Sequence, residues 1–254
     1  MATLPDVELL QTPQGLRYLL LQGPDTHGVS QSLRSRGVYE PNLQVLATAL
    51  LNANPAEGLV LDIGANLGSF TVPMAKAFGH LRFHCWEVQP PVYYQLCANL
   101  LLNGLGHVTA HPYGLGASAC EVDVALPNYA DEINIGSFSL DPAMRQGVRG
   151  GEFRGESVRV KVVNLDSLFL ERVRLVKIDV EGLELDVLRG AAGTLVRSGF
   201  PPILYEAWAF DWYAERKAAL EQFLQSLGYV LMNFDGSENF VAQHPAFGPM
   251  LQAR

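Results

Sequence analysis

Cysteine is scarce in this chain: Cys85, Cys97 and Cys120 are the only three in 254 residues. An odd number at these spacings fits neither a disulfide framework nor a zinc or iron–sulfur site, so free thiols in a reducing compartment are expected. Positive charge is also in deficit, with 18 Lys and Arg against 26 Asp and Glu. A formal net charge of -8 argues against a nucleic acid as partner, because phosphate-tracking surfaces need clustered basic residues. A small or neutral partner is expected instead. No stretch approaches the roughly 18 uninterrupted apolar residues of a membrane span. The opening MATLPDVELLQTPQ has no basic segment followed by an apolar one, and a cytoplasmic protein is expected. No repeat period is visible. What remains, 48% hydrophobic and 17% charged, is ordinary globular composition, long enough to bury a two-sided sheet core.

The pattern along the chain alternates strand and helix. VELLQTPQGLRYLLL, from Val7 to Leu21, reads as two strands around a Pro/Gly turn. Leu43, Leu46, Ala47 and Leu50 then fall at helical spacing. Leu59 to Ile63 is a short apolar strand of the kind buried on both faces of a parallel sheet, followed by helical periodicity from Leu67 to Phe78. Strands at Leu81 to Glu87 and His107 to Tyr113 flank a helix from Pro90 to Asn103. ACEVDVAL and VRVKVV are strand-like on either side of a Gly-rich polar loop. RLVKID then predicts another buried strand, with one helix through LELDVLRGAAGTLV ending at Ser198-Gly199. Ile203 to Glu206 is the next strand, Asp211 is placed to cap a helix ending at Gly228, and YVLMNF and NFVAQ make a closing antiparallel pair. Such alternation implies an α/β fold with right-handed crossovers and helices on both faces of a mostly parallel sheet.

LVLDIGANLGSF, residues 59 to 70, is the chemically informative stretch. A strand ending in a glycine-rich turn that feeds a helix presents backbone N–H groups to a ligand. Gly64 and Gly68 make positive φ cheap, and Asn66 is among the few other residues that tolerate it. A dinucleotide fingerprint G-x-G-x-x-G would have its first glycine where this chain has Asp62. A carboxylate there repels a pyrophosphate but accepts hydrogen bonds from an ammonium or supports the turn. Nineteen residues after Gly68 comes Glu87, placed to accept from ribose hydroxyls. Glu87 suits NAD and S-adenosylmethionine alike; the Asp62 and Glu87 pair favours the methyl donor.

DIGANLGSFT, WEVQP, NLDSL and VKIDVEGLELDVLRGA, in this order, together with the upstream RGVYEP and the strand ILYE, resemble the FkbM family of S-adenosylmethionine-dependent methyltransferases over roughly residues 28 to 206. The resemblance implies a Rossmann-like class I methyltransferase fold: a seven-stranded, mostly parallel sheet whose last strand pair is antiparallel. Residues 1–54 would form an N-terminal extension, a strand pair plus a helix serving as a lid, and residues 55–254 the Rossmann-like domain. Carried over by position, Asp62, Gly64, Ala65, Asn66, Gly68 and Ser69 would border the methionine part of the cofactor. Glu87 with Val88 would border its ribose, and Tyr113 and Gly114 the adenine. Glu40 and Asp179 would line the site near the methyl. Members of the family are mostly O-methyltransferases of sugar or polyketide-type hydroxyls. The absence of DPPY or NPPY after the fourth strand argues against N-methylation of a nucleobase or amide.

A hydroxyl needs its proton taken before it attacks a methyl group, so a base is expected. Asp179 is the first choice and Glu206 the second, since both sit at C-terminal ends of neighbouring strands, where open parallel sheets bind ligands. Asp179 is equally open to fixing only the cofactor or the following turn. Glu181 and Glu184 read as helix-opening acids. Mg²⁺ between strand-end acids would need a third ligand; none is evident, and no metal is expected. His27, in the expected lid, is open to reaching the substrate but is read first as a surface or capping residue, and His84, His107 and His111 are read as structural ones. Trp208, Phe210 and Trp212 are open to stacking on an acceptor or to core packing. A Rossmann-type NAD-dependent oxidoreductase and a non-catalytic cofactor-binding module are the alternatives to a methyltransferase acting on a small-molecule or glycan hydroxyl.

Overall fold

The structure, a computed structural model, describes residues 6–22, 28–127, 129, 136, 138–141, 143–144, 157–234 and 236–251. His27 and most of the Gly-rich loop before Ser157 lie outside the described residues. In chain order the elements are β1 (Val7–Gln11), β2 (Arg17–Leu21), α1 (Val29–Arg36), α2 (Pro41–Ala53), β3 (Leu59–Ile63), α3 (Thr71–Ala77), β4 (Arg82–Trp86), α4 (Pro90–Leu102), β5 (Val108–His111), β6 (Gly114–Leu115), β7 (Cys120–Ala125), β8 (Ser157–Val163), β9 (Val173–Ile178), α5 (Glu184–Arg189), α6 (Ala192–Arg197), β10 (Ile203–Glu206), α7 (Ala214–Ser226), β11 (Val230–Asn233) and β12 (Asn239–Gln243).

Seven strands form the central sheet in the order β11-β12-β10-β9-β3-β4-β5. The five from β10 to β5 are mutually parallel, and β12 runs antiparallel to both β10 and β11. From β3 the chain moves outward through β4 and β5, then returns to lay β9 on the other side of β3. The strand order therefore reverses there, and the crevice beyond the C-terminal ends of these strands is the place where such sheets bind ligands. All five residues of β3 are buried, as a strand covered on both faces must be. Val60, Phe83, Leu175 and Leu204 pack on one face with α2, α3 and α4; Leu61, Ile63, Val176 and Ile203 pack on the other with α5, α6 and α7. The strand-like segments in the middle pair as β7 and β8, antiparallel, in a separate three-stranded sheet completed by β6.

Three expected elements differ. The helix expected from Leu67 begins at Thr71, because Asn66 (φ 51°) and Gly68 (φ 93°) are left-handed and a right-handed helix cannot include them. The single helix after RLVKID is two, α5 and α6. A Cβ at Gly190 would come within 2.0 Å of the Gly116 carbonyl, so the chain bends where only glycine fits. Asp166 of NLDSL then caps α6 from another segment, accepting from the backbone N–H of Gly193 at 2.9 Å and of Thr194 at 2.5 Å. Asp211 does not cap the following helix: it starts a short 3-10 turn, and α7 begins at Ala214 without a side-chain cap.

The hairpin β1–β2 is fastened to α4 by side-chain amides. Gln95, Asn99 and Asn103 accept from the backbone N–H groups of Leu21, Leu19 and Arg17 at 3.0, 2.6 and 3.0 Å. Asn99, fully buried, also donates to the Leu67 carbonyl at 2.8 Å, joining the hairpin to the glycine turn. Asn99→Ala leaves a buried N–H and a buried carbonyl without partners and should cost about 2–5 kcal/mol; urea denaturation of the two proteins checks this, and a change under about 0.5 kcal/mol would contradict it.

Candidate functional site

The turn after β3 is built from left-handed residues, Gly64 (φ 81°), Asn66 and Gly68, as the expectation of positive φ at these three positions requires. The reason is packing within the protein. A Cβ on Gly64 would lie 1.7 Å from the Asp179 carbonyl, and one on Gly68 would meet Leu96 and Val72 at 3.1 Å. The turn is held in place by the backbone N–H groups of Gly64 and Ala65 on the Trp86 carbonyl, at 3.1 and 2.9 Å. Glu87 completes the clamp: one carboxylate oxygen accepts from Asn66 N–H at 3.1 Å, the other from Gln89 N–H, at the start of α4, at 2.8 Å. Burial outweighs these bonds and pushes the Glu87 carboxyl up to about 7.

These residues open on one cavity at the crevice beyond β3 and β4. Gly64, Asn66, Trp86, Glu87, Val88 and Gln89 form one side, and Tyr113, Gly114, Leu115, Phe138 and Leu140 form an apolar slot. Asp179, Val180, Glu181 and Leu183 close the far end. Among the described residues no Lys, Arg or His lines this cavity, while Glu87, Asp179 and Glu181 do. Of the expected site residues, Gly64, Asn66, Glu87, Val88, Tyr113, Gly114 and Asp179 are thus brought together. Ala65 and Gly68 belong to the turn but do not line the cavity. Ser69 lies on a different groove, between the hairpin, α2 and α3.

Asp62 stands behind the turn, fully buried, and its carboxylate faces protein instead of the cavity. One oxygen accepts from the Thr71 hydroxyl at 2.5 Å; the other lies 3.5 Å from Lys177 Nζ. Lys177 is the cross-strand neighbour of Asp62, in β9. Lys177 also donates to the Gly64 carbonyl at 3.0 Å and to Asp179 Oδ2 at 3.1 Å. Burial alone would lower its pKa, but Asp179, Asp62 and Glu40 outweigh it and hold the ammonium above its ordinary range. The lysine in VKID was readable as a signal, since a charge in the middle of a buried strand requires partners.

At the ends of β9 and β10 three carboxylates converge: oxygens of Asp179, Glu181 and Glu206 lie within 4.8 Å of one another. The third member, Glu181, is the one that helix opening was expected to absorb. It precedes α5 with φ 55° and faces the cavity, whereas Glu184 occupies the helix's first turn. Glu184 accepts from the N–H groups of Val180 and Gly182, both at 3.1 Å, and from the Tyr213 hydroxyl at 3.0 Å, so it shapes the turn that presents Glu181. Burial, then the charges of Asp179, Glu181, Glu184 and Glu40, push Glu206 well above the usual carboxylate range. Its Oε2 accepts from Trp208 Nε1 at 3.1 Å. Beside it Phe210 and Trp212 stack at 5.6 Å and are 46% and 43% exposed, while Trp208 is buried.

Glu40 occupies the position before α2 in a left-handed conformation (φ 45°), without a side-chain capping bond, and accepts from Asn239 Nδ2 at 3.1 Å. It does not line the cavity; burial first, then its charge and those of Asp179 and Glu206, raise the Tyr39 hydroxyl. Tyr39 is a site neighbour that sequence reading missed, although VYEP contains it. The histidines are structural where described: His84 and His111 share a 3.0 Å contact beneath Trp86, and His107 Nε2 sits 3.1 Å from the Ala75 carbonyl. Cys85, Cys97 and Cys120 are all free. Among the described residues no helix is long and apolar enough to cross a membrane.

Comparison with known proteins agrees with this architecture. Methyltransferase 1 of Beauveria bassiana is 28% identical over 149 residues, 54% of this chain and 59% of that protein. Methyltransferase sdnD of Sordaria araneosa is 30% identical over 158 residues, 54% of this chain and 61% of that protein. The chain thus spans about three fifths of the length of these relatives. A solved structure of the methyltransferase FkbM from Methylobacillus flagellatus KT superposes with a TM-score of 0.50 at 17% identity, covering 73% of this chain and 43% of that one, and shares the Rossmann-like fold. Residues 62–231 match the family described as the methyltransferase FkbM domain, from Asp62 behind the glycine turn to β11. The chain belongs to the FkbM methyltransferase family.

Proposed function

We propose that this chain is an S-adenosylmethionine-dependent O-methyltransferase acting on a hydroxyl of a small molecule or glycan. The observation that carries the reading is the charge of the cavity. Three carboxylates and no basic side chain line it among the described residues, which suits a donor bearing a sulfonium and an ammonium and opposes a pyrophosphate. Glu87, at the cavity wall, is the acceptor for ribose hydroxyls, and the slot of Val88, Leu115, Phe138 and Leu140 suits a flat apolar base. The Trp86 indole N–H, buried and without a protein partner among the described residues, adds a donor on the same wall.

When bound, S-adenosylmethionine supplies a methyl group on positively charged sulfur, which an aligned oxygen displaces in line. The protein's task is to hold the acceptor hydroxyl there and take its proton. Glu206 is the better base: burial and the neighbouring carboxylates raise its carboxyl well above the usual range, so it holds a proton more tightly than an ordinary carboxylate. Asp179 is committed through Oδ2 to Lys177 and serves to orient. This reverses the order of the two expected from sequence. The charge of Glu40, in the N-terminal segment, acts on Glu206. The exposed Phe210–Trp212 pair is a surface for the body of the acceptor.

The decisive experiment is mass spectrometry of extracts incubated with the protein and isotopically labelled donor, which should yield one labelled product. Binding of NADH with no heat from S-adenosylhomocysteine would instead make the chain a dehydrogenase. Glu206→Gln should leave S-adenosylhomocysteine affinity within about threefold while methyl transfer falls by at least about 100-fold. For the wild type the rate should climb with pH until Glu206 is ionised, and it should survive EDTA. Rate lost to EDTA and restored by Mg²⁺ would replace the carboxylate base with metal-assisted ionisation.

Glu87 has its own pH signature. Its folded carboxyl is raised to about 7 from an ordinary 4.5, so the folded state binds the extra proton between these values. Stability from this group is present below 4.5 and is lost as pH rises through about 7. In Glu87→Gln the thermal midpoint should depend less on pH across this window, and S-adenosylhomocysteine should bind about 10- to 100-fold more weakly; an unchanged affinity would remove Glu87 from the donor site.

A further inference from the structure

The donor turn and the acid end of the cavity are joined by a residue that lines neither. Lys177 projects from near the C-terminal end of β9 opposite Asp62, its side chain only 7% exposed. Its ammonium donates to Gly64 O in the turn at 3.0 Å and to Asp179 Oδ2 at the end of β9 at 3.1 Å, and forms an ion pair with Asp62 Oδ1 in β3 at 3.5 Å. Burying a cation is costly unless it is well paired, and an aliphatic side chain would pack a parallel strand without that cost. The sheet alone does not explain the lysine.

Gly64 O and Asp179 Oδ2 belong to the two parts that must stay in register for methyl transfer, the turn beside the donor and the carboxylate beside the acceptor. We infer that Lys177 is a positioning residue for methyl transfer: its ammonium ties the Gly64 carbonyl to the Asp179 carboxylate and fixes the distance between the donor turn and the acid cluster. The inference rests on the methyl-transfer reading above. In-line displacement is steeply sensitive to such a distance, and about 1 Å of misplacement costs on the order of 100-fold in rate. Asp62 has the separate task of balancing the charge, anchored by Thr71 from the other side. The lysine thus divides its contacts between one carboxylate that serves folding and one that serves the cavity.

Lys177→Met alone would leave Asp62 buried without a counter-charge and is expected to unfold the chain, so the test pairs it with Asp62→Asn. The double variant should melt within about 5 °C of the wild type and bind S-adenosylhomocysteine within about threefold by calorimetry, yet transfer labelled methyl to the extract product about 100-fold more slowly. Adding Asp179→Asn should then change that rate by less than about threefold, because the two residues act as a unit. Wild-type rate in the double variant, or the full Asp179→Asn loss on top of it, would overturn the inference. A second measurement does not depend on any change at Lys177. In Asp179→Asn the amides of Gly64, Ala65 and Asn66 should exchange with solvent at least about tenfold faster, and in Glu206→Gln they should not; equal exchange in Asp179→Asn and wild type would also overturn it. Failure of S-adenosylhomocysteine to bind the unaltered chain would sink the methyl-donor reading itself, before any variant is made.

Discussion

Everything at the site depends on one close contact, the Asp179 carbonyl set against the Cα of Gly64 where a Cβ would fall at 1.7 Å. Strands β3 and β9 are neighbours in the sheet although 110 residues apart in sequence, and their exits must share one space. The chain solves this by omitting a side chain on β3's exit and turning it left-handed. From that follow the direction of the turn, the placement of Asn66 against Glu87, and the exposure of Asp179 at the crevice. The Asp179 N–H on the Ile63 carbonyl at 2.9 Å carries the sheet's ladder right up to the site. A rigid ladder thereby ends in two turns with chemical side chains.

Electrostatics then separates acids that look equivalent along the chain. Asp62 and Asp179 share a lysine; Glu87 and Glu184 are held by backbone N–H groups; Glu206 is half-buried among other carboxylates with an indole N–H as neighbour. Burial raises Glu87, Glu184 and Glu206 alike. The surroundings differ: Glu184 is enclosed and accepts from Tyr213, so it serves structure, whereas Glu206 borders the open acid cluster. Position relative to the cavity, more than the shift itself, distinguishes a working group from a packed one.

Much of this was legible beforehand because its causes are local. Strands Leu59–Ile63 and Ile203–Glu206 are runs of apolar residues bounded by breakers, and the left-handed turn is written in its glycines and asparagine. The family resemblance supplied the seven-stranded, mostly parallel sheet with its antiparallel last pair. What was not legible depends on contacts between distant segments. The bend at Gly190 comes from the Gly116 carbonyl, the cap of α6 from Asp166, and the convergence of Glu181 on Glu206 from a turn shaped by Glu184 and Tyr213. Glycines at 64 and 68 read as openings for a ligand, but the space they leave is filled by the protein's own carbonyl and side chains. Lysine in VKID was plain in the sequence, though its partners were not.

The amide side chains of α4 carry a lesson about where this protein can be divided. Gln95, Asn99 and Asn103 give their carbonyl oxygens to β2, and the antiparallel strand β12 lies beyond the 62–231 region that defines the family. A fragment cut to that region would lose the strand joining β10 to β11 and would leave three amide acceptors facing a vanished hairpin. The homologous region and the cooperative folding unit are different lengths of chain, and a shortened protein needs residues from both flanks to stand.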